Sequence, residues 1–129
     1  MPDESTRKAL ALEYCRRMNA GDIDHVLELF APDVVFEDPV GSGEQTGLDA
    51  LRAHITRALV DDRATERPGT PVAAHDDETV VMPAVIELRP RSYPKRVQIS
   101  IIGVVRIGPD GLVHDLRALW GDSDVTVLG

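Results

Sequence analysis

The sequence predicts an α+β domain in which three helices in the N-terminal half cover a curved antiparallel β-sheet and enclose a conical pocket. Three observations lead there. Apolar residues recur with a period near 3.6 up to about residue 59, and with a period near 2 beyond residue 71. Gly, Pro and Asp punctuate the second part into strands joined by short connections. No internal repeat, linker or low-complexity tract interrupts the chain, so residues 1–129 read as one domain able to bury its own core. Helices laid over a bent sheet can leave a cavity between the layers, and such cavities are common small-molecule sites.

The elements follow in order. Residues 5–19 are expected to be helical, with Leu10, Tyr14 and Met18 on one face, Arg7, Lys8, Arg16 and Arg17 opposite, and Gly21 as the stop. Asp22 or Asp24 can cap a short second helix whose apolar face is Val26, Leu27, Leu29 and Phe30, ended by Pro32. Residues 34–38 read as a short strand and 41–47 as a polar turn. Leu51, Ile55 and Leu59 share one face of a third helix over 48–59. A weak strand is expected at 71–74, a strong one at 79–88 and a proline-containing loop at 89–95. A long strand over 97–107 then meets its partner, 112–120, through the turn Pro109-Asp110-Gly111.

Composition narrows the chemistry. A formal charge of −8 lacks the basic stripe that nucleic acid requires and disfavours anionic membranes. The lone Cys15 excludes an intrachain disulfide and reads as an inert buried thiol. His25, His54, His75 and His114 have no metal-ligand spacing and read as surface or packing residues, so neither metal nor cofactor is expected. There is no phosphate loop, dinucleotide fingerprint or nucleophile elbow. Nor is there a membrane-length apolar run or a signal-peptide core, which makes the cytoplasm the expected location.

What remains is carboxylate chemistry inside a pocket. In Val34-Val35-Phe36-Glu37-Asp38-Pro39, strand alternation puts Asp38 on the side of Val34 and Phe36. An acid against an apolar wall tends to a raised pKa, which suits it to proton transfer near neutrality. Asp before Pro is equally a common turn opener, and the segment alone favours that plainer reading. Tyr14, on the apolar face of the first helix, is a candidate partner, or a core tyrosine bonded to a carbonyl. Glu66 is another, or an exposed acid beside Arg67, whereas Asp61 and Asp62 lie in a polar cluster and read as solvated.

A resemblance adds to this reading. Tyr14, Gly21-Asp22, Phe30-Ala31-Pro32-Asp33 and Glu37-Asp38-Pro39-Val40-Gly41 resemble the ketosteroid-isomerase branch of the nuclear transport factor 2-like (SnoaL-like) superfamily. That likeness implies a strand-end Asp as base (Asp38) and a helix-one Tyr as donor (Tyr14). Where the isomerases carry a second acidic donor, this chain has Gly103, a departure that weakens an isomerase reading. A closer resemblance is to the epoxide hydrolases of polyether-ionophore biosynthesis, of the lasalocid and monensin type. It rests on residues 11–17, Asn19-Ala20-Gly21, Leu29-Phe30-Ala31-Pro32-Asp33, Ala73-Ala74-His75-Asp76 and Trp120-Gly121-Asp122-Ser123-Asp124.

This second likeness implies an Asp–Glu pair, Asp38 with Glu66, the latter preceding Pro68-Gly69, with Asp61 and Asp62 as fallbacks for the second carboxyl. The implied activity is an epoxide-opening cyclase acting on a polyepoxide polyketide, with Asp38 deprotonating a hydroxyl, Glu66 protonating the epoxide, Tyr14 hydrogen-bonded to the pair, and tetrahydrofuran as the ring formed. The expected substrate wall is Phe30, Phe36, Val97, Ile99, Ile101, Gly103, Val105 and Trp120. A homodimer through the sheet face, and association with a related cyclase, are also implied. A proton-shuttling isomerase and a non-catalytic pocket protein stand as alternatives. Product formation separates the first from both, and ligand binding without turnover marks the last.

Overall fold

A computed structural model describes residues 2–129. Helix α1 (Glu4–Ala20) begins at Asp3, whose carboxylate accepts the Thr6 N–H at 2.8 Å, and ends at Gly21, whose φ of 75° lets its amide return to the Met18 carbonyl. Helix α2 (Ile23–Leu27), capped by Asp22, is followed by strand β1 (Phe30–Glu37). The expected helical face at Leu29 and Phe30 thus gives way to strand, because the Leu29 carbonyl accepts the Val113 N–H at 2.8 Å and Phe30 pairs with Val113. Pro32 falls inside β1, where the register shifts between Phe30 and Val35, so its missing N–H costs no ladder bond.

Strand β2 (Gln45–Thr46) forms within the expected polar turn. Helix α3 (Leu48–Thr56) passes into a π-helical turn, Arg57–Asp61. Then come β3 (Thr65–Pro68), β4 (Val72–Ala73), β5 (Thr79–Leu88), β6 (Arg96–Ile107), β7 (Val113–Leu119), a 3-10 turn at Asp122–Asp124 and β8 (Val125–Leu128). The sheet runs β2-β1-β7-β6-β5-β3, with β4 paired to β5 and β8 to β6. Its pairs are antiparallel apart from β1–β7, which is parallel, because the chain passes through β2, α3 and four further strands after β1 before returning beside it. Strands β3 and β8, four residues each, were too short to show as alternation.

The core lies between α1 and α3 on one side and the concave sheet face on the other. Ala11, Cys15 and Met18 of α1, with Leu51 and Ile55 of α3, pack on Val34, Phe36, Val80, Met82 and Val105. Val34 and Phe36 are fully buried while Val35 and Glu37 are partly exposed, so β1 alternates as its sequence predicts. Arg7 departs from the expected exposed face of α1. It is 1% exposed, and its guanidinium donates to the carbonyls of Pro2, Ala74 and Thr79, tying α1 to the β4–β5 edge. An arginine can lie inside because three carbonyls replace the water it loses. No helix among the described residues is long and apolar enough to cross a membrane.

Candidate active site

The cone encloses a cavity of about 350 Å³, walled largely by apolar side chains. Its polar groups enter from different elements: Tyr14 from α1, His54 from α3, Glu66 from β3, and Asp38 and Trp120 from the ends of β1 and β7. Arg57 and Asp62, in and just after the π turn, also reach the lining.

Asp38 lies one residue beyond β1, on the face set by Val34 and Phe36, before a cis peptide bond to Pro39. The next residue holds the turn in place, since Val40 N–H donates to the Ala118 carbonyl at 2.8 Å. On the outer face, Glu37 accepts from Gly41 and Gly43 N–H and from Arg117. Both oxygens of Asp38 meet a ring nitrogen. Trp120 Nε1–H donates to Oδ1 at 3.0 Å, and His54 Nε2 lies 3.0 Å from Oδ2. The sequence reading expected an apolar wall to raise the Asp38 pKa. Burial does push it up, but the hydrogen bonds from His54 and Trp120 and the charge interaction with His54 together outweigh it. The carboxyl is therefore held below its ordinary value, in its ionised form.

Glu66 is the opposite case. It is 8% exposed, and its Oε2 has no hydrogen-bond partner among the described residues. Burial, followed by the charge on Asp38, pushes its pKa up to about 8. Near neutrality, therefore, Asp38 is held in its ionised form while burial and the Asp38 charge favour a proton on Glu66. Tyr14 packs edge-on against Phe30, with ring centroids 5.9 Å apart. Burial, then the charges of Glu66 and Asp38, raise its pKa well above 10, so it stays a neutral phenol. Its hydroxyl makes no hydrogen bond to either carboxyl among the described residues, in contrast to the bonded arrangement the resemblance implied. Cys15 is buried behind it, its thiol pushed up to about 12 by burial and by Glu66.

Of the expected wall, Phe30, Ile99, Ile101, Gly103, Val105 and Trp120 line the cavity. Phe36 does not. It is buried beneath His54, with ring centroids 5.6 Å apart, and supports that residue instead. Val97 shares the face of Ile99 but falls outside the lining. Among the fallback acids, Asp62 reaches the lining and Asp61 does not. The residue that sequence reasoning missed is His54. Its signal was present: it lies three residues after Leu51 and one before Ile55, on the inward side of an amphipathic helix. Among the described residues no cluster of three His, Cys, Asp or Glu side chains is placed to hold a metal ion.

A cone of this kind, with an apolar cavity and a buried acid facing an ionised one, is the architecture of small pocket enzymes and binding proteins. Residues 11–116 match the model of the SnoaL-like domain, and the chain belongs to that family. It is 44% identical over 126 residues, 96% of its length, to the epoxide hydrolase LasB of Streptomyces lasalocidi, and it spans 44% of that protein. It superposes with a TM-score of 0.93 on SalBIII, an epoxide hydrolase/cyclase-like enzyme with a role in pyran ring formation in the polyether salinomycin. The identity there is 32%, covering 99% of this chain and all of that one. The likeness to polyether epoxide hydrolases read from the sequence is thereby borne out. RV0760c of Mycobacterium tuberculosis, solved with estradiol-17β-hemisuccinate, has a TM-score of 0.83 at 20% identity over 92% of this chain and 95% of its own, and shows the shared fold alone.

Proposed function

We propose that this protein is a cofactor-independent, epoxide-opening cyclase of polyether biosynthesis, acting on a polyepoxide polyketide. The observation that carries this reading is the unequal setting of two carboxyls in one apolar cavity. Asp38 has a ring nitrogen 3.0 Å from each oxygen, which favours its ionised form. The buried Oε2 of Glu66 has no partner among the described residues, which favours its neutral form. Opening an epoxide with an internal hydroxyl requires one proton removed and one delivered. Asp38 takes the hydroxyl proton as the oxygen attacks an epoxide carbon. The C–O bond of the epoxide breaks, and its oxygen takes the proton of Glu66. The products are a cyclic ether and a new hydroxyl, and the proton passes from Asp38 back to Glu66 to close the cycle. Tyr14, as a neutral phenol, offers a hydrogen bond to the leaving oxygen or to Glu66. Because nucleophile and electrophile belong to one folded chain, the apolar wall contributes rate through proximity.

The relatives support the same reading through an epoxide hydrolase at 44% identity and a cyclase-like enzyme of pyran formation at 32%. Tetrahydrofuran as the ring formed here is part of the proposal. An isomerase would gain from a second donor where the chain has Gly103, which carries none. A homodimer through the outer sheet face is also proposed, supported by the exposed Ile102 and Leu119 beside Pro83 and Val85 in a shallow groove there. A related cyclase could occupy the same face. The cytoplasm, where a free Cys15 stays reduced, is the proposed compartment.

The test is product analysis on a synthetic hydroxy-bisepoxide ketone. Wild type should form cyclic ether above the spontaneous rate, with tetrahydrofuran or pyran read directly. Asp38→Asn and Glu66→Gln should fall to near background with their fold intact. A background rate in all three proteins would remove this substrate class.

A further inference from the structure

We propose that His54 is a positioning residue which, together with Trp120, fixes Asp38 as the base of the pair and so sets the direction of proton movement. The direction has its use in the epoxide-opening reading, but the geometry stands apart from it. Each Asp38 oxygen has a ring nitrogen at 3.0 Å, whereas Glu66 Oε2 has no partner among the described residues. Two carboxyls in one apolar cavity would otherwise differ mainly in depth, and desolvation would push both towards the neutral form.

The groups facing Asp38 can be taken element by element. From α1 come Tyr14 and Cys15, both kept protonated by burial. From β3 comes Glu66, which repels charge on Asp38. From the turn after α3 come Arg57 and Asp62, and among the described residues neither makes a hydrogen bond or ion pair with Asp38. The stabilising contacts are therefore His54 and Trp120. The indole N–H can donate and nothing more, so its contribution is constant with pH. The imidazole can carry its proton on Nε2 in either charge state, and donates to an ionised Asp38 in both. α3 and the Phe36 ring hold it in place, and its side chain is 24% exposed, open enough to exchange protons with water.

The role is separable from packing by two substitutions. His54→Phe keeps a ring against Phe36 but removes the N–H. His54→Gln removes the ring and supplies an amide N–H. Asp38 ionisation can be read by NMR in protein labelled with 13C at the aspartate carboxyls, with Asp38→Asn for assignment, and no turnover is needed. His54→Phe should move the Asp38 titration, and the acidic limb of kcat/KM, upwards by about 1–2 pH units, the shift expected for losing a charge-assisted hydrogen bond. His54→Gln should leave both near wild type. If both variants shift Asp38 alike, or neither does, the inference is overturned. If the NMR shift appears in a protein that turns over no epoxide, the role of His54 stands and the cyclase reading fails.

Discussion

The side-chain amide of Asn19 brackets the backbone of Glu66. Its Nδ2 donates to the Glu66 carbonyl at 2.8 Å, and the Glu66 N–H donates to its Oδ1 at 2.7 Å. The acid is thus placed by the last turn of α1 as well as by pairing of β3 with β5, where Glu66 lies opposite Ile86. Asn19→Leu removes both bonds and leaves a partly buried N–H and C=O unsatisfied. It should cost about 1–3 kcal/mol in denaturant unfolding. As Glu66 loosens, kcat should fall more than KM rises. An unchanged kcat would mean that β3 alone positions the acid.

The pH dependence of activity should be bell-shaped with unequal limbs. In the proposed cycle the working form has Asp38 ionised and Glu66 protonated. With Asp38 held below its ordinary value and Glu66 at about 8, kcat/KM should be flat around neutrality and fall above pH 8. These limbs belong to the pair as a unit. A profile that keeps rising through pH 8 would mean that the working form carries no proton on the pair, and would remove Glu66 as the acid.

Stability should record the same buried proton with a defined sign. Glu66 is raised from 4.5 in the unfolded chain to about 8 in the fold. Below the lower value both states carry the proton, and there is no penalty. Between the two values the folded state binds a proton that the unfolded chain has lost, so stability falls as pH rises through that window. Glu66→Gln should remove this slope and stabilise the protein at pH 8.5 by roughly 2–4 kcal/mol relative to wild type. Unfolding curves at pH 5 and 8.5 for both proteins would show it. Parallel behaviour would place Glu66 in water.

How much could be read from the sequence depended on the length of the signal. β5 and β6, at 10 and 12 residues, show enough alternation to be placed within one residue, and α1 announces itself through Gly21. β3 and β8, at four residues each, take their identity from the strands they pair with, which lie far off in the chain. The same division runs through the site. The face of Asp38 was legible from local alternation, but its selection over a plain turn opener came, like that of Glu66, from family likeness, and the burial of Glu66 came from the fold. The His54–Asp38 and Trp120–Asp38 bonds span 16 and 82 residues, and no local pattern carries such contacts. The ionisation of Asp38 accordingly depended on partners that the sequence did not show.

Gly103 should set how large a substrate the cone accepts. It sits on β6 between Ile101 and Val105, and all three line the cavity. A Cβ built there would lie 3.6 Å from the Met82 carbonyl, an ordinary contact, so a Cβ at this position meets no backbone obstacle. Gly103→Ala should leave stability unchanged or raise it by up to ~1 kcal/mol, through a less flexible unfolded chain. Gly103→Leu should fold, and should extend its side chain into the space a long polyepoxide needs. KM for a bulky bisepoxide should then rise in the order Gly, Ala, Leu, while a compact single hydroxy-epoxide should be much less affected. Proportional effects on both substrates would point to disturbance of Asp38 and Glu66. No effect on either would mean that the substrate does not enter the cone as far as β6.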